Sequence, residues 1–369
     1  MKNSIVHLGK FYPPHNGGME THLRDLAVRQ ARIADVSVIV ANSRVRSQDE
    51  VAEGVHIIRV ARVGTIASMP FCPGLTSAIR RCPADLVHIH MPNPSAAFSF
   101  LRSRHRGKLI ITHHADTLGR KTLRRLSDPY VHQVMERASA IIVTSARYLE
   151  SSRELVPFRE KCRVIPLGVE STDRCENSNT SLIEDLRIVS GGPLILAVGR
   201  LVPYKGFDLL VRAMKRVNAT LLLIGSGPQA EQLDALAKTE GVSQKVRMLG
   251  RVADLQPYFQ IASIFVLPST TRAEAFGLVQ LEAMAAGLPV VNTNIDSGVP
   301  EVSVNGVTGL TVEPGNVDEL AQAIQHLLDR DELREKFGSA ARKRVQRNYT
   351  ADVMAEQTFE LYREILSRN

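Results

Sequence analysis

Short, continuous apolar runs alternate with helix-length segments along most of this 369-residue chain, and this alternation constrains the fold more than any other feature. Strands that are apolar on both faces and are each followed by a helical segment are typical of a parallel β-sheet covered by helices. The alternation occurs twice, on either side of a polar stretch at 171–181 that has almost nothing to bury. We therefore predict an α/β protein of two Rossmann-like βαβ domains joined by a linker at 171–181.

In the first half, the predicted strands are residues 4–9, 36–41, 55–60, 86–90, 109–114, 140–145 and 162–170. In the second half they are residues 194–200, 220–225, 246–250, 263–268 and 290–294. These positions predict an N-terminal domain over 1–175 and a C-terminal domain over 176–350, before a last helix at 351–366. Ligands of open parallel sheets bind at the carboxyl ends of the strands. Two such domains facing each other predict a binding cleft.

Two carboxylates frame the segment EAFGLVQLE at 274–282, which follows a predicted strand and opens a helix of small residues. Glu274 is expected in the strand-to-helix turn, and Glu282 about two turns further along. Between them, the backbone N–H groups of Phe276, Gly277 and Leu278 favour an anion at the helix N-terminus. A nucleotide sugar carries the hydroxyls and phosphates that such a site would bind. The alternative is a surface helix with two solvated glutamates.

A basic segment at 101–125 holds nearly all of the net charge of +8. Its eight bases and one acid, Asp116, give eight minus one, or +7. The bases are Arg102, Arg104, Arg106, Lys108, Arg120, Lys121, Arg124 and Arg125. Nucleic acid, an anionic membrane, a phosphorylated substrate or plain solvation would each explain this charge. Nucleic acid is disfavoured, because the chain has no Trp, only seven Tyr, and no recognition-helix or RNP-like motif.

The sequence favours a cytoplasmic protein, at most peripheral at the inner face of the cell membrane. No apolar run approaches the roughly 18 residues needed to span a bilayer, and the start lacks the apolar region of a signal peptide. Cys72, Cys82, Cys162 and Cys175 are scattered without disulfide or metal-ligand spacing. The early pair Gly17-Gly18 is not a GxGxxG motif, so it predicts no dinucleotide site. It would allow backbone N–H groups to approach a bulky anion.

Several motifs occur in a fixed order along the chain. They are the Gly17-Gly18 loop, HIHMPNP at 88–94, THHAD at 112–116, VIPLGV at 164–169, VGRLVPYKG at 198–206, IGSGP at 224–228 and the segment at 274–282. Together they cover essentially the whole chain, which resembles the GT-B fold glycosyltransferases of the retaining family four. The resemblance implies two Rossmann-like domains facing across a cleft, with the acceptor bound by the first and the nucleotide sugar by the second. It also implies that the last helix crosses back to the first domain.

The resemblance also implies a donor site. Arg200 and Lys205 would bind the diphosphate and stabilise the negative charge that grows on it as the sugar leaves. Glu274 would hold sugar hydroxyls, and Glu282 would accept hydrogen bonds from the ribose hydroxyls. The remaining donor-binding residues would act through their backbone; they are Gly17 and Gly18 at the diphosphate, Ala275, Phe276, Gly277 and Leu278 at the sugar, and Arg251 and Val252 at the base.

By the same resemblance, His114 is the catalytic-site histidine near the reacting sugar, although the sequence leaves open which of His113 and His114 faces the cleft. His88, His90 and His113 are alternatively packed structural residues. We predict no metal site from those three, because we expect them on separate strand ends or alternate faces, and the chain lacks a DxD motif. No cofactor is expected. For a retaining transfer, the leaving phosphate would help to deprotonate the acceptor, so the protein contributes positioning and electrostatic stabilisation.

The basic segment then becomes a candidate acceptor or membrane site, formed by Asp116, Arg120, Lys121, Arg124 and Arg125. We expect an anionic glycan or lipid-diphosphate-linked acceptor there, at a membrane face. The stretches at 113–126 and 143–152 look like bacterial mannosyl- or rhamnosyltransferases of O-antigen and polysaccharide assembly, which favours a GDP-sugar donor. The alternatives are a UDP-sugar enzyme acting on a sugar phosphate or small molecule, an inactive binding-only relative, and a nucleic-acid-binding protein.

Overall fold

The computed structural model describes residues 2–15, 17–66, 69–116, 121–170 and 192–368, and leaves the side chains of 66 and 121–126 outside that description. The chain divides into two compact units. The first unit comprises Met1–Gly168 and Ala351–Asn369, and the second comprises Val169–Thr350. The predicted linker at 171–181 and the predicted boundary after residue 175 lie outside the described residues.

The first unit is built on an eight-stranded sheet, with a separate two-stranded hairpin. Its strands are β1 (Ser4–Leu8), β2 (Asp35–Ala41), β3 (Gln48–Ala52), β4 (Val55–Val60), β5 (Gly64–Ile66), β6 (Met69–Phe71), β7 (Leu86–Met91), β8 (Lys108–His113), β9 (Ala140–Val143) and β10 (Cys162–Val164). Its helices are α1 (Gly18–Ala31), α2 (Leu75–Arg81), α3 (Pro94–Ser103), α4 (Lys121–Arg137) and α5 (Ala146–Ser151), with a 3₁₀ turn at Val156–Lys161. The large sheet has the order β10-β9-β8-β7-β1-β2-β4-β3.

Strand β1 lies in the middle of this sheet, between β2 and β7, and pairs in parallel with both. All six residues of β7 are buried, as expected for a strand covered on both faces. The parallel α/β class predicted from the sequence is therefore confirmed. Strand β3 was missed, because its sequence QDEVA is polar and mostly exposed. It pairs antiparallel with β4 at the sheet edge, where charged residues also discourage pairing with other chains.

The last helix, α13 in this numbering (Ala351–Ser367), belongs to the first unit. Its buried Met354 and Tyr362 join one apolar cluster with Leu23 of α1. The nearby pair of Arg29 Nε and Asp352 Oδ1, 2.7 Å apart, links the same two helices.

The second unit is built on a six-stranded parallel sheet in the order β13-β12-β11-β14-β15-β16. Its strands are β11 (Leu194–Val198), β12 (Thr220–Ile224), β13 (Val246–Gly250), β14 (Ile264–Leu267), β15 (Val290–Thr293) and β16 (Gly309–Val312). Its helices are α6 (Phe207–Ala213), α7 (Ala230–Thr239), α8 (Gln256–Ile261), α9 (Leu278–Ala285), α10 (Val299–Val302), α11 (Val317–Leu328) and α12 (Asp331–Asn348), with a 3₁₀ turn at Pro203–Lys205.

Strand β16 was not predicted, because its sequence GLTV mixes glycine and threonine with two apolar residues and is not a continuous apolar run. It begins at Gly309, where a Cβ atom would lie 1.8 Å from the carbonyl oxygen of Val290 in the neighbouring strand. Only glycine permits this approach. Helix α9 ends as predicted at a glycine, since Gly287 has a φ of +85°. The guanidinium of Arg342 donates to the carbonyl oxygens of Ala285 and Ala286, and so caps the same helix end.

No helix in the described ranges is long and apolar enough to cross a membrane. Within the described residues, the cysteines are free thiols; they are Cys72, Cys82 and Cys162.

Candidate active site

The predicted donor residues of the second unit follow neighbouring parallel strands, so their loops lie along one edge of the sheet. Arg200 follows β11, Arg251 follows β13, and Glu274 follows β14. Between the first two lies the glycine-rich turn after β12. Gly225 has a φ of +148°, and a Cβ atom there would lie 1.8 Å from the carbonyl oxygen of Gly199. The close approach of these two turns depends on that glycine.

Two hydrogen bonds hold the turn that carries Arg200. The backbone N–H of Gly199 donates to the carbonyl of Ile224 at 2.9 Å, and that of Leu201 donates to the carbonyl of Ser226 at 3.0 Å. Arg200 itself is exposed. A fixed backbone with an exposed guanidinium is suited to binding an anion that arrives from solvent.

Lys205 and Glu274 form an ion pair at this edge, between Nζ and Oε2. The side chains are only 9% and 11% exposed. Lys205 ends the 3₁₀ turn and precedes Gly206, which has a φ of +66° and where an added Cβ atom would lie 2.2 Å from the carbonyl oxygen of Pro268. Ser269 Oγ donates to Glu274 Oε2 at 3.2 Å. The sequence suggested both residues but gave no sign that they pair.

The loops that carry the pair are themselves joined, because the backbone N–H of Thr270 donates to the carbonyl of Tyr204 at 2.7 Å. The pKa of the Tyr204 phenol is raised, chiefly by burial and then by the negative charge of Glu274. Lys205 and Arg200 act on it in the opposite direction. Glu274, Lys205 and Arg200 therefore all lie close enough to Tyr204 to act on the pKa of its phenol. The fold has brought these three predicted groups together.

Helix α9 begins at Leu278, directly after Gly277, whose φ is +74°. Glu282 consequently lies a little more than one turn into the helix, where it is half-buried. The carbonyl of Phe276 accepts a hydrogen bond from Gln280 Nε2 at 2.9 Å, and that of Ala275 accepts one from the N–H of Gly298 at 2.8 Å. These bonds fix the turn so that the first N–H groups of the helix point out of its N-terminus.

In the first unit, the main feature is a group of five buried histidines: His7, His22, His88, His90 and His114. We predicted that His88, His90 and His113 lie on separate strand ends or alternate faces. For His88 and His90 this was wrong, because residues two apart on a strand share a face, and their rings stack with centroids 4.5 Å apart. His7 lies directly beside His88 in the sheet register.

Gln30 and three of these histidines, His7, His90 and His114, form a hydrogen-bonded row. Gln30 Oε1 lies 2.6 Å from His7 Nε2, and His7 Nδ1 lies 3.1 Å from His90 Nε2. His90 Nδ1 lies 3.3 Å from His114 Nε2. His22 packs edge-on against the His114 ring, with centroids 4.9 Å apart. Its own two nitrogens find no hydrogen-bond partner among the described residues.

Burial keeps these rings neutral near pH 7. It lowers the pKa of His7 to about 4 and that of His22 to about 3. Burial also lowers the pKa values of His88, His90 and His114 well below the usual value, and neighbouring histidines lower them further. Neutral imidazoles can bind metals, and the ring nitrogens of His22, His90 and His114 lie within 4.8 Å of one another. However, both nitrogens of His90 are already engaged with His7 and His114, so hydrogen bonding accounts for this geometry.

His113 belongs to a different network from His114. Its Nδ1 lies 3.0 Å from the Tyr148 hydroxyl, and its Nε2 lies 3.3 Å from Glu154 Oε2. The Tyr148 hydroxyl donates to Asp116 Oδ1 at 2.9 Å, and burial raises the pKa of that phenol. Tyr148 was missed in the sequence, because nothing in its local pattern shows that it is buried between two site residues.

Two other groups of predicted residues belong to this unit, the glycine pair and the basic acceptor residues. Gly17 precedes α1 in an extended conformation and Gly18 begins the helix; both are exposed. Of the predicted acceptor residues, Arg120 lies outside the described residues. Lys121, Arg124 and Arg125 fall in the first turns of α4, and their side chains lie outside the description.

Comparison with known proteins places these features in context. Residues 16–173 match the family model described as Glycosyltransferase Family 4, and residues 178–344 match that described as Glycosyl transferases group 1. An O-antigen chain mannosyltransferase of Escherichia coli is 27% identical over 98% of this chain and 98% of its own length. A D-rhamnosyltransferase of Pseudomonas aeruginosa is 30% identical over 81% of this chain and 79% of its own. Among solved structures, the Anabaena protein HepE in complex with UDP-glucose has a TM-score of 0.80 at 21% identity, covering 98% of this chain and 100% of that chain.

Proposed function

The chain belongs to glycosyltransferase family 4, with the GT-B fold, and from this premise we propose that it is a retaining hexosyltransferase of cell-surface polysaccharide assembly. The donor would be a nucleotide sugar, with GDP-mannose or GDP-rhamnose favoured over a UDP-sugar. The acceptor would be a glycan or a lipid-diphosphate-linked saccharide. The observation that carries the donor site is the buried ion pair of Lys205 and Glu274, beside the exposed Arg200.

That ion pair supports a specific order of events on donor binding. Lys205 has three N–H donors, and a diphosphate offers several charged oxygens. As the diphosphate approaches Arg200 and Lys205, its oxygens would compete with Glu274 for the Lys205 ammonium group. Glu274 would then be released to accept hydrogen bonds from sugar hydroxyls. Because the Lys205 and Glu274 side chains are largely shielded from water, each of these charge interactions is stronger than it would be in bulk solvent.

The catalytic contribution would be electrostatic. Arg200 and Lys205 would stabilise the charge that accumulates on the leaving diphosphate, and the N–H groups of Gly277 and Leu278 at the start of α9 would assist Glu274 at the sugar. Removing one preorganised donor of this kind typically costs a factor of about 10²–10³ in turnover. Because the two cations supply positive charge, we propose that no metal is needed. Dialysis against EDTA should leave the activity unchanged, and loss of activity restored by Mg²⁺ or Mn²⁺ would contradict this.

The remaining proposed roles are carried from the family resemblance to matching residues. Glu282 would bind the ribose hydroxyls, and the backbone at Arg251 and Val252 would contact the base. The backbone of Gly17 and Gly18 would contact the diphosphate. His114 would contact the transferred sugar.

The division between the two glutamates can be tested directly. Glu274→Gln should lower kcat by at least tenfold while changing nucleotide affinity little, because it removes a charge that acts on the sugar. Glu282→Gln should instead weaken binding of the free nucleotide. Each variant serves as the matched control of the other, since both remove one carboxylate from the same segment. Equal effects on turnover and nucleotide affinity in both variants would contradict these roles.

Donor identity is best tested by thermal shift with GDP, UDP and ADP sugars, followed by transfer assays. The mannosyl- and rhamnosyltransferase relatives support a GDP-sugar, whereas the likeness to HepE makes UDP-glucose the necessary comparison. We expect the largest shift with GDP-mannose or GDP-rhamnose. A larger shift with a UDP-sugar would replace the favoured donor, and no shift with any of them would count against the donor site.

For the acceptor, we propose that the basic start of α4 receives an anionic group, as at a lipid diphosphate in an anionic membrane. Reversing Arg124 and Arg125 to Glu should reduce sedimentation with phosphatidylglycerol-containing liposomes and transfer to lipid-linked acceptors. Reversing the exposed Arg44 and Arg46 changes the net charge equally and serves as the control. The proposal fails if both double variants sediment like the native protein, or if both lose binding to the same degree.

A further inference from the structure

We propose that Gln30 is a positioning residue for His114. Through the buried row of His7 and His90, its amide fixes the His114 tautomer so that Nε2 carries the proton and Nδ1 presents a lone pair. The functional consequence rests on the proposed contact of His114 with the transferred sugar. The tautomer itself depends only on the geometry of the first unit.

The Gln30 amide oxygen can only accept hydrogen bonds. In the orientation that the structure gives this amide, Oε1 lies 2.6 Å from His7 Nε2, so that nitrogen carries the proton. A neutral imidazole has one N–H and one lone pair. His7 Nδ1 is therefore an acceptor.

The same rule determines the next two rings. His7 Nδ1 accepts from His90 Nε2 at 3.1 Å, so the proton of His90 is on Nε2 and its Nδ1 is an acceptor. His90 Nδ1 in turn accepts from His114 Nε2 at 3.3 Å. The proton of His114 is then on Nε2, and its Nδ1 is left with the lone pair.

The row keeps this polarity because its rings are neutral and enclosed. Gln30 and His7 are fully buried, and His90 and His114 are almost as completely buried. A protonated ring would be a donor on both sides and would break the alternation of donor and acceptor. Burial lowers the pKa values of all three histidines, which prevents this near pH 7.

The neighbouring histidines hold the rings without joining the row. His88 stacks on His90, but its nitrogens bond to the Tyr362 hydroxyl and, at 2.7 Å, to Thr112 Oγ1. His22 packs edge-on against the His114 ring. The direction of the His114 lone pair is therefore fixed by packing as well as by hydrogen bonding.

The polarity of the row has a chemical consequence. An Nδ1 lone pair accepts a hydrogen bond from a sugar hydroxyl but has nothing to donate to a phosphate oxygen. With the Gln30 amide turned over, its NH₂ group would donate to His7, every link would reverse, and His114 would present an N–H instead. One buried amide thus decides whether His114 selects a hydroxyl or an oxyanion.

The test is long-range ¹H–¹⁵N correlation NMR of the protein labelled with ¹⁵N-histidine, with signals assigned by single histidine substitutions. In the native protein we expect His7, His90 and His114 to carry the proton on Nε2. Gln30→Met removes the anchor at similar size and should give a mixture of tautomers at His114. Thr358→Val removes a buried hydroxyl that donates to the Met354 carbonyl, outside the row, and should leave the His114 tautomer unchanged.

A kinetic measurement accompanies the spectra. Gln30→Met should lower kcat about tenfold with little change in donor KM, which corresponds to about 1.4 kcal/mol, one hydrogen bond. Thr358→Val should change kcat less than twofold. A native His114 protonated on Nδ1, or an unchanged His114 tautomer in Gln30→Met, would overturn the inference. Failure of the native protein to transfer any sugar would refute the proposed function but leave the tautomer result standing.

Discussion

Mild acid should destabilise the first unit through its buried histidines. A group whose folded pKa lies below its unfolded value binds fewer protons when folded, so it favours the folded state only above the unfolded pKa. For a histidine that unfolded value is about 6.5. For His7, with a folded pKa of about 4, this stability is present above pH 6.5. It is lost progressively as the pH falls from 6.5 towards 4.

The size of the effect follows from these values. Between pH 7 and pH 5, His7 loses about 2 kcal/mol of its contribution to the free energy of unfolding. His22, with a folded pKa of about 3, adds a loss in the same direction, but the His7 and His22 rings interact, so the two losses do not simply add. His88, His90 and His114 add to the loss, because their pKa values are shifted in the same direction. Natural domains have a total stability of only about 5–15 kcal/mol.

The assay is urea unfolding at pH 7 and pH 5, followed by far-UV circular dichroism, with hydrogen exchange to locate the change. We expect β1 and β7 to lose protection at pH 5 before the strands of the second unit do. In His7→Asn, the difference in stability between the two pH values should shrink by about 2 kcal/mol. His132→Asn, at the surface, is the control and should leave the difference unchanged. Equal stability at the two pH values, or a loss confined to the second unit, would refute the reasoning.

Three further predictions concern single contacts, each measured by urea or thermal unfolding. Tyr362→Phe should cost about 1 kcal/mol or slightly more, because it leaves Nδ1 of the buried His88 without its partner; an unchanged stability would contradict that hydrogen bond. Gly309→Ala should cost about 3 kcal/mol or more, since its methyl group would overlap the carbonyl of Val290, and a neutral result would disprove the close strand approach. Arg342→Met should cost about 2 kcal/mol by uncapping α9, and a loss below about 0.5 kcal/mol would show that water replaces the guanidinium.

The parallel sheets were predictable because their strands are short runs dominated by aliphatic residues. The segments TLLLI at 220–224 and VHIIRV at 55–60 appear in the structure as β12 and β4. The polar β3 and the mixed sequence GLTV of β16 were not predictable, since their pairing depends on neighbouring strands and not on their own composition. Local periodicity reports only what a segment buries.

In the candidate site, too, the sequence predicts single residues but not which distant residues contact each other. Motif spacing was enough to suggest Arg200, Lys205 and Glu274, because each follows a strand in a recognisable segment. That Lys205 and Glu274 pair with each other depends on two loops almost seventy residues apart, as the numbering shows. The histidine row was equally hidden, because Gln30, His7 and His114 come from three different elements. Around this row, only the shared face of His88 and His90 on β7 could be predicted from the sequence, and our prediction of separate faces was wrong.

The position of the last helix has a consequence for how the protein is made. The apolar cluster that holds Leu23 and Leu26 of α1 is completed by Met354 and Tyr362, which the ribosome adds more than three hundred residues later. During synthesis, the first unit therefore waits with an open apolar surface while the entire second unit emerges and can fold. Domains usually fold in the order of their synthesis. Here the unit that begins first finishes last, and until then its surface is a natural binding site for chaperones.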